Sequence, residues 1–255
     1  MRLPPHGQYG PIQDTDGHRF PSHWKIRRLR FIVDVNPVRS AIKEPRDDLL
    51  VSFLPMEAIG ERGEIDVTAE RCLADVRVGY TYFEEGDVLV AKITPCFENG
   101  KGAIARNLCN GIGFGTTELH VLRASEAAES SWLLYLTQSG WFRDWGGASM
   151  YGAGGQKRVP EDFIKNIRVG IPDLHEQQEI AAFLNFHIGT IDQLNLRNSI
   201  LLERLSEWRR TIISSWVFGG LNPSRDFSEP GDYWYGVVPS SWLTMRTKFI
   251  ALVGN

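Results

Sequence analysis

Residues 86–105 read GDVLVAKITPCFENGKGAIA, and the way this stretch turns back on itself decides the fold. The apolar run DVLVAKI (87–93) and the run GAIARNL (102–108) both read as β-strands, bounded by Gly, Pro and Asn. Between them Asn99-Gly100 is a good tight-turn pair, so the spacing predicts a strand–turn–strand element. Lys92 and Lys101 beside the turn can reach phosphates, and Asn99 can approach a base edge. The same block can equally be pure scaffold. It also imitates a phosphate loop, but a P-loop needs G-x-x-x-x-G-K-[ST]. Here Pro95 stands where the first Gly belongs and Gly102 follows Lys101, so the amide nest and the Mg²⁺-holding hydroxyl are both missing.

Outward from this block, LLVSFL (49–54) and ELHVLRA (118–124) read as further strands. SWLLYLTQSGWFRDW (131–145) has helical apolar spacing, PEDFIKNI (160–167) reads as a short helix opened by Pro160, and RVGIP (168–172) as an extended exit. Strands and helices that do not alternate regularly indicate an α+β domain. The chain has 255 residues, enough for one large or two modest domains. It holds no apolar run long enough to span a membrane, and its start, MRLPPHGQYG, does not read as a secretory signal. Cys72, Cys96 and Cys109 are odd in number and lack CxxC spacing, so they read as reduced thiols in a cytoplasmic protein. The six histidines are scattered, and no protein-built metal site is expected.

Asp173 and Glu176 form a capping-box pattern that opens one long helix. From there the chain repeats at 4-3 spacing through Ile180, Leu184, His187, Ile191, Leu194, Asn198, Leu201, Leu205, Trp208, Ile212 and Ser215. Eight of these eleven are apolar, which favours a helix-pairing seam of coiled-coil type over a surface helix. Gly219-Gly220 and Pro223 end it.

Beyond the helix the sequence repeats itself. FPSHWKIRRLRFIVDV (20–35) aligns without a gap on VPSSWLTMRTKFIALV (238–253), with seven identities in sixteen positions, including Trp24/Trp242. A second copy of the first domain therefore starts here. The net charge of −3 argues weakly against a nucleic-acid ligand, but its distribution is uneven. RFPSHWKIRRLRF (19–31) holds five cations, Arg27 and Arg28 among them, and no acid; such a run is either a solvated face or a phosphate-tracking patch.

Other enzyme motifs fail as the P-loop does. GIGFG (111–115) precedes a strand rather than a helix, so it reads as a glycine-rich turn or a close backbone approach, not a dinucleotide loop. DVNPV (34–38) lacks the second Pro and the stacking aromatic with which adenine methyltransferases hold a flipped base, and reads as a turn. No acid–base pair and no nucleophile motif stands out.

Three blocks together carry a family resemblance: residues 86–105, GFGTTELHVLR (113–123) and GGQKRVPEDFIKNIRVGIPDLHEQQEIAAFL (154–184). With the repeated Pro-x-x-Trp openings, the chain resembles the specificity (S) subunits of type I restriction–modification systems. The resemblance implies an N-terminal arm (1–17), a target-recognition domain (18–172), a conserved spacer helix (173–220), and a linker with the start of a second, truncated recognition domain (221–255). It implies a non-catalytic subunit that reads double-stranded DNA at a split site. Modification subunits would supply S-adenosylmethionine and adenine methyl transfer, and a restriction subunit would supply ATP- and Mg²⁺-dependent chemistry. The loops at 39–48 and 146–158 are further candidates for DNA contact, the second through Tyr151, Gln156, Lys157 and Arg158. With one helix in this chain, an antiparallel homodimer reading a palindromic, interrupted site is an expectation. Two other classes stay open at this point: a stand-alone DNA methyltransferase or nuclease, and a coiled-coil assembly protein.

Overall fold

The computed structural model describes residues 20–38, 47–219, 226–228 and 238–240. The N-terminal arm, most of the 39–48 loop, Gly220 and Pro223 beyond the long helix, and most of the expected second copy lie outside the described residues. The elements in chain order are β1 (Lys25–Arg28), β2 (Val33–Val35), β3 (Leu50–Leu54), β4 (Glu70–Cys72), α1 (Leu73–Val76), β5 (Thr81–Glu84), β6 (Val88–Ala91), β7 (Gly102–Ile104), β8 (Ile112–Gly115), β9 (Leu119–Ala124), α2 (Ser130–Gln138), α3 (Gly140–Ala148), α4 (Glu161–Asn166), β10 (Arg168–Ile171), α5 (Leu174–Gly219), β11 (Phe227–Ser228) and β12 (Val238–Pro239). The fold is α+β with a long C-terminal helix. Among the described residues no helix is long and apolar enough to cross a membrane.

Residues up to Asn185 form one compact unit. Its centre is two four-stranded sheets, ordered β2-β9-β6-β7 and β4-β3-β8-β5. The second is mixed, since β3 and β8 run parallel. Strand β6 (VLVA) is buried at all four positions because both of its faces are covered. Val88 and Val90 face the cluster built with α2–α4, while Leu89 faces the cluster shared with the second sheet. The outer face of that second sheet packs Val51, Phe53, Tyr82 and Phe114 against α1. Strands β1 and β10 pair antiparallel and so join the start of the unit to its end.

Three expectations change. The helix expected at 131–145 is two, α2 and α3, broken at Ser139, whose Oγ accepts the Phe142 N–H at 3.3 Å and caps the second. Within GIGFG only Gly111, at φ +71°, belongs to a turn; residues 112–115 are a buried strand. Its glycines do serve close approach: a Cβ on Gly113 would lie 2.0 Å from Phe83 Cε2, and one on Gly115 2.6 Å from the Leu54 carbonyl oxygen. The connection between β6 and β7 is also no two-residue hairpin. The chain makes successive turns, with Phe97 N–H donating to Ile93 O, Asn99 N–H to Pro95 O and Gly100 N–H to Phe97 O. Only Gly100, at φ +78°, takes the left-handed conformation that a tight turn would ask of both residues. Phe97 plugs this loop into the core beneath Gly146, where a Cβ would meet the Phe97 ring at 2.2 Å.

The first turn of α5 is docked on this unit. Asp173 Oδ1 accepts the Glu176 N–H at 2.9 Å, but the Glu176 carboxylate does not return to Asp173. It accepts Trp24 Nε1–H at 3.1 Å and contacts His23 Nε2 at 3.0 Å. Gln177, fully buried, accepts the Glu129 N–H and donates to the Ala127 and Pro172 carbonyls. Ile180 packs against the domain core, so this first residue of the expected helix-pairing seam is occupied within its own unit. From Ile191 to Ile212 the apolar seam residues are exposed, and Asn198 among them is exposed too.

Candidate nucleic-acid interface

The two loops singled out in the sequence are brought together. Val159 N–H donates to Lys92 O and Thr94 N–H to Lys157 O, both within 2.9 Å, while Lys92 N–H donates to Glu118 O. Tyr151 and Arg158 exchange backbone hydrogen bonds and close the second loop, so Ile93, Arg158 and Tyr151 lie in three adjacent backbone rows. Residues 146–148 belong to the end of α3, and the exposed part of the loop is 151–157. Gly152, Gly154 and Gly155 take positive φ there, which lets the loop turn sharply.

The individual side chains divide into two sets. Tyr151, Gln156 and Lys157 are exposed, and among the described residues neither Lys92 nor Lys157 has a carboxylate in ion-pair range. Arg158, by contrast, makes a two-pronged ion pair with Glu118, 2.8 Å at both oxygens. That hydrogen-bonded guanidinium holds the Glu118 carboxyl below the usual glutamate range. Lys101 Nζ donates to the Met56 carbonyl at 3.1 Å, and Asn99 Nδ2 to Glu61 at 2.9 Å. Arg158, Lys101 and Asn99, expected to reach phosphates or bases, are in this structure each engaged in holding the loops to the body of the unit.

Behind the loops lies a small network around the buried His120 that sequence reasoning missed. His120 Nε2–H donates to the Val159 carbonyl at 2.9 Å, and its Nδ1 faces Asn36 Nδ2 at 3.4 Å. Burial pushes the His120 imidazole down, which suits this neutral pairing. Asn36, at φ +53°, makes the turn expected of DVNPV. Its amide donates to Glu161 at 2.6 Å and accepts the Val121 N–H at 3.0 Å. A lone Asn before a Pro was the available signal, but its partners are far away in sequence.

The basic run of the sequence becomes β1 and the 3₁₀ turn after it. Arg27 is exposed and Arg28 half-buried, and together with Arg30, Phe31 and Arg168 they line one open concavity. Arg168 was not singled out in the sequence because it is distant from the run. The two sites flank α4: Asn36 holds Glu161 in its first turn, and Arg28 and Arg30 reach Asn166 at its last.

Residues 64–203 match the family described as type I restriction modification DNA specificity domain. The chain is 36% identical over 216 residues to the specificity subunit of the type I restriction enzyme EcoAI of Escherichia coli, covering 84% of this chain and 35% of that one. It is 32% identical over 225 residues to the EcoEI specificity subunit of the same organism, covering 87% and 36%. The chain thus spans about a third of the length of these curated relatives. Among solved structures, the HsdS subunit from Thermoanaerobacter tengcongensis superposes with a TM-score of 0.60 at 21% identity, over 85% of this chain and 54% of that one. A chain from a study of type I restriction–modification complex assembly gives 0.57 at 18%, over 79% and 47%. At these identities the structures speak for the fold.

Proposed function

The chain belongs to the family of type I restriction modification DNA specificity domains, and from that premise we propose that it is a DNA-recognition subunit whose first unit reads one half of a split site. The observation that carries this reading to particular residues is the row of backbone bonds joining 92–94 to 157–159. It sets Lys92, Tyr151, Gln156 and Lys157 along neighbouring rows, on a base fixed by Arg158–Glu118 and His120. Exposed loops on a rigid body are how one scaffold reads different ligands. Tyr and Gln offer base-edge contacts, and the lysines offer phosphate contacts.

On this reading the chain is not itself catalytic. Methyl transfer from S-adenosylmethionine belongs to modification subunits, and ATP- and Mg²⁺-dependent steps to a restriction subunit, all acting on DNA in the cytoplasm. The exposed seam of α5 is the surface for a second helix, from a partner or from a second copy in an antiparallel homodimer. The test is to co-express the chain with its modification subunit and map methylated adenines across the genome. A defined methylated motif is expected, and one that changes when residues 151–157 are exchanged for another sequence. Methyl transfer by the rigorously purified chain alone, or a motif indifferent to that exchange, contradicts the reading.

A further inference from the structure

We propose that the β1–β10 strand pair is a sequence-independent anchor for the DNA sugar–phosphate backbone, with Arg28, Arg30 and Arg168 as its phosphate ligands. The proposal rests on the DNA-recognition reading above and gives that function a second surface, separate from the loops. Arg28 and Arg168 stand directly opposite each other in the antiparallel register, so their side chains leave the same face. Opposed residues have Cβ atoms about 4.5–5.5 Å apart, and like charges in that position repel. Arg30 joins them from the 3₁₀ turn Leu29–Phe31. Arg28 and Arg30 both donate to a single neutral acceptor, Asn166 Oδ1, at 3.4 and 3.1 Å. Asn166 thus gathers two guanidiniums without neutralising either.

Three arginines elsewhere in the unit are paired with acids, while Arg106 and Arg143 donate to the Ser131 hydroxyl and the Glu98 carbonyl. Arg77 meets Asp47, Arg123 meets Asp87 and Glu84, and Arg158 meets Glu118. Among the described residues no carboxylate lies within ion-pair distance of Arg27, Arg28, Arg30 or Arg168. Three converging cations without a counter-charge, in a chain of net charge −3, form a site that an anion completes.

The internal repeat says which of these cations matter in both units. Arg28 recurs as Arg246, Arg30 as Lys248 and Phe31 as Phe249, whereas Lys25 and Arg27 give way to Leu243 and Met245. Two units that read different half-sites share only the backbone of the DNA. Exchange of an Arg for a Lys preserves a phosphate contact through its charge. Phe31 is 61% exposed and so has little core role, but the Arg30 guanidinium lies over its ring at 5.3 Å, which holds that side chain toward the concavity.

The test uses the chain assembled with its modification subunit. Binding is titrated over a series of salt concentrations against two labelled probes: a pool of random-sequence duplexes, and a duplex carrying the mapped methylation motif. For Arg30→Gln/Arg168→Gln, affinity should fall alike on both probes. The slope of log affinity against log salt should become shallower by about 1.8, for two lost phosphate contacts. The methylated motif should stay the same, and Arg30→Lys should retain the wild-type slope. If the wild type binds DNA and the double variant keeps its slope, the anchor is disproved. Loss of modification-subunit assembly with an unaltered slope would instead make this an acidic-protein docking face, and an altered motif would make it a base reader; either overturns the proposal. A wild-type complex that binds neither probe removes the DNA-recognition reading itself, and the anchor with it.

Discussion

Replacing Leu201 and Leu205 together by Asp should dissociate a dimer of this 255-residue chain. The seam residues Ile191, Leu194, Leu201, Leu205, Trp208 and Ile212 are between 37% and 63% exposed. Leu202 and Trp216, each exposed by more than half, lie one turn from Leu205 and Ile212 on that face. Full burial of such a side chain is worth roughly 1.5–3 kcal/mol, so burying the remaining half contributes about 0.8–1.5 kcal/mol. Eight side chains on each of two helices give roughly 12–24 kcal/mol, against an association cost of about 4–15 kcal/mol. The midpoints leave about 8 kcal/mol, which corresponds to micromolar dissociation. Removing two leucines from each helix takes away about 3–6 kcal/mol, a loss of roughly two hundredfold or more in affinity. Burying four carboxylates weakens it further. Asn198 within the seam favours one register of pairing. Sedimentation equilibrium across the micromolar range measures both forms. A wild-type chain that stays monomeric well above micromolar concentration refutes the reasoning, and so does a double variant that still dimerises.

Gly113→Ala should cost about 3 kcal/mol in urea unfolding, because its Cβ collides with the buried Phe83 ring on a central strand; a near-neutral result would show that the ring can give way. Stability should fall on the acid side in two stages. The unfolded chain takes up a proton on His120 near the ordinary value of about 6.5 while the buried imidazole resists it, so stability declines as pH drops below that value. The contribution of Glu118, held low by Arg158, is complete above the ordinary glutamate value and is lost as pH falls through its depressed one. His120→Gln should remove only the first stage, and a wild type whose stability is flat from about pH 7 to 5.5 would count against the buried neutral imidazole. Lys157→Ala should make the salt slope of DNA binding shallower by about 0.9 without a change in melting temperature. Arg158→Ala should lower the melting temperature, since it breaks the pair with Glu118; equal thermal behaviour of the two variants would dissolve the division between reader and scaffold.

The parts of the fold that were legible in the sequence are those whose signal is local. Strand β6 stands out because a strand covered on both faces reads as an unbroken apolar run, and β3 and β9 stand out as runs interrupted only by Ser52 or by His120 and Arg123. The long helix stands out because its period persists over many turns. Strands β4 and β5 carry no such run, with exposed or half-buried residues at their ends. The break at Ser139 is invisible to periodicity, since the apolar spacing continues across it and only the hydroxyl cap reveals two helices. GIGFG was half legible: glycine signals close approach, but nothing nearby in the sequence says that the approaching group is the ring of Phe83.

The site was legible as stretches but not as side chains, and the reason is electrostatic. Arg158 and Arg28 look alike in the sequence, each following another cation, Lys157 or Arg27. The topology gives them opposite environments. Strand β9 starts beside the 151–158 loop, so Arg158 finds Glu118 forty positions away and becomes a strut. The β1–β10 register sets Arg28 opposite Arg168, so it finds a second cation instead. Whether a cation is available to DNA is thus a property of strand order and register, not of local composition. The same holds for the net charge: a value of −3 is compatible with a DNA-binding surface because acids and bases are sorted by pairing. Where pairing is complete the charges stiffen the unit, and where it is withheld, as around Asn166 and along residues 92 and 157, the unit keeps positive charge for a ligand.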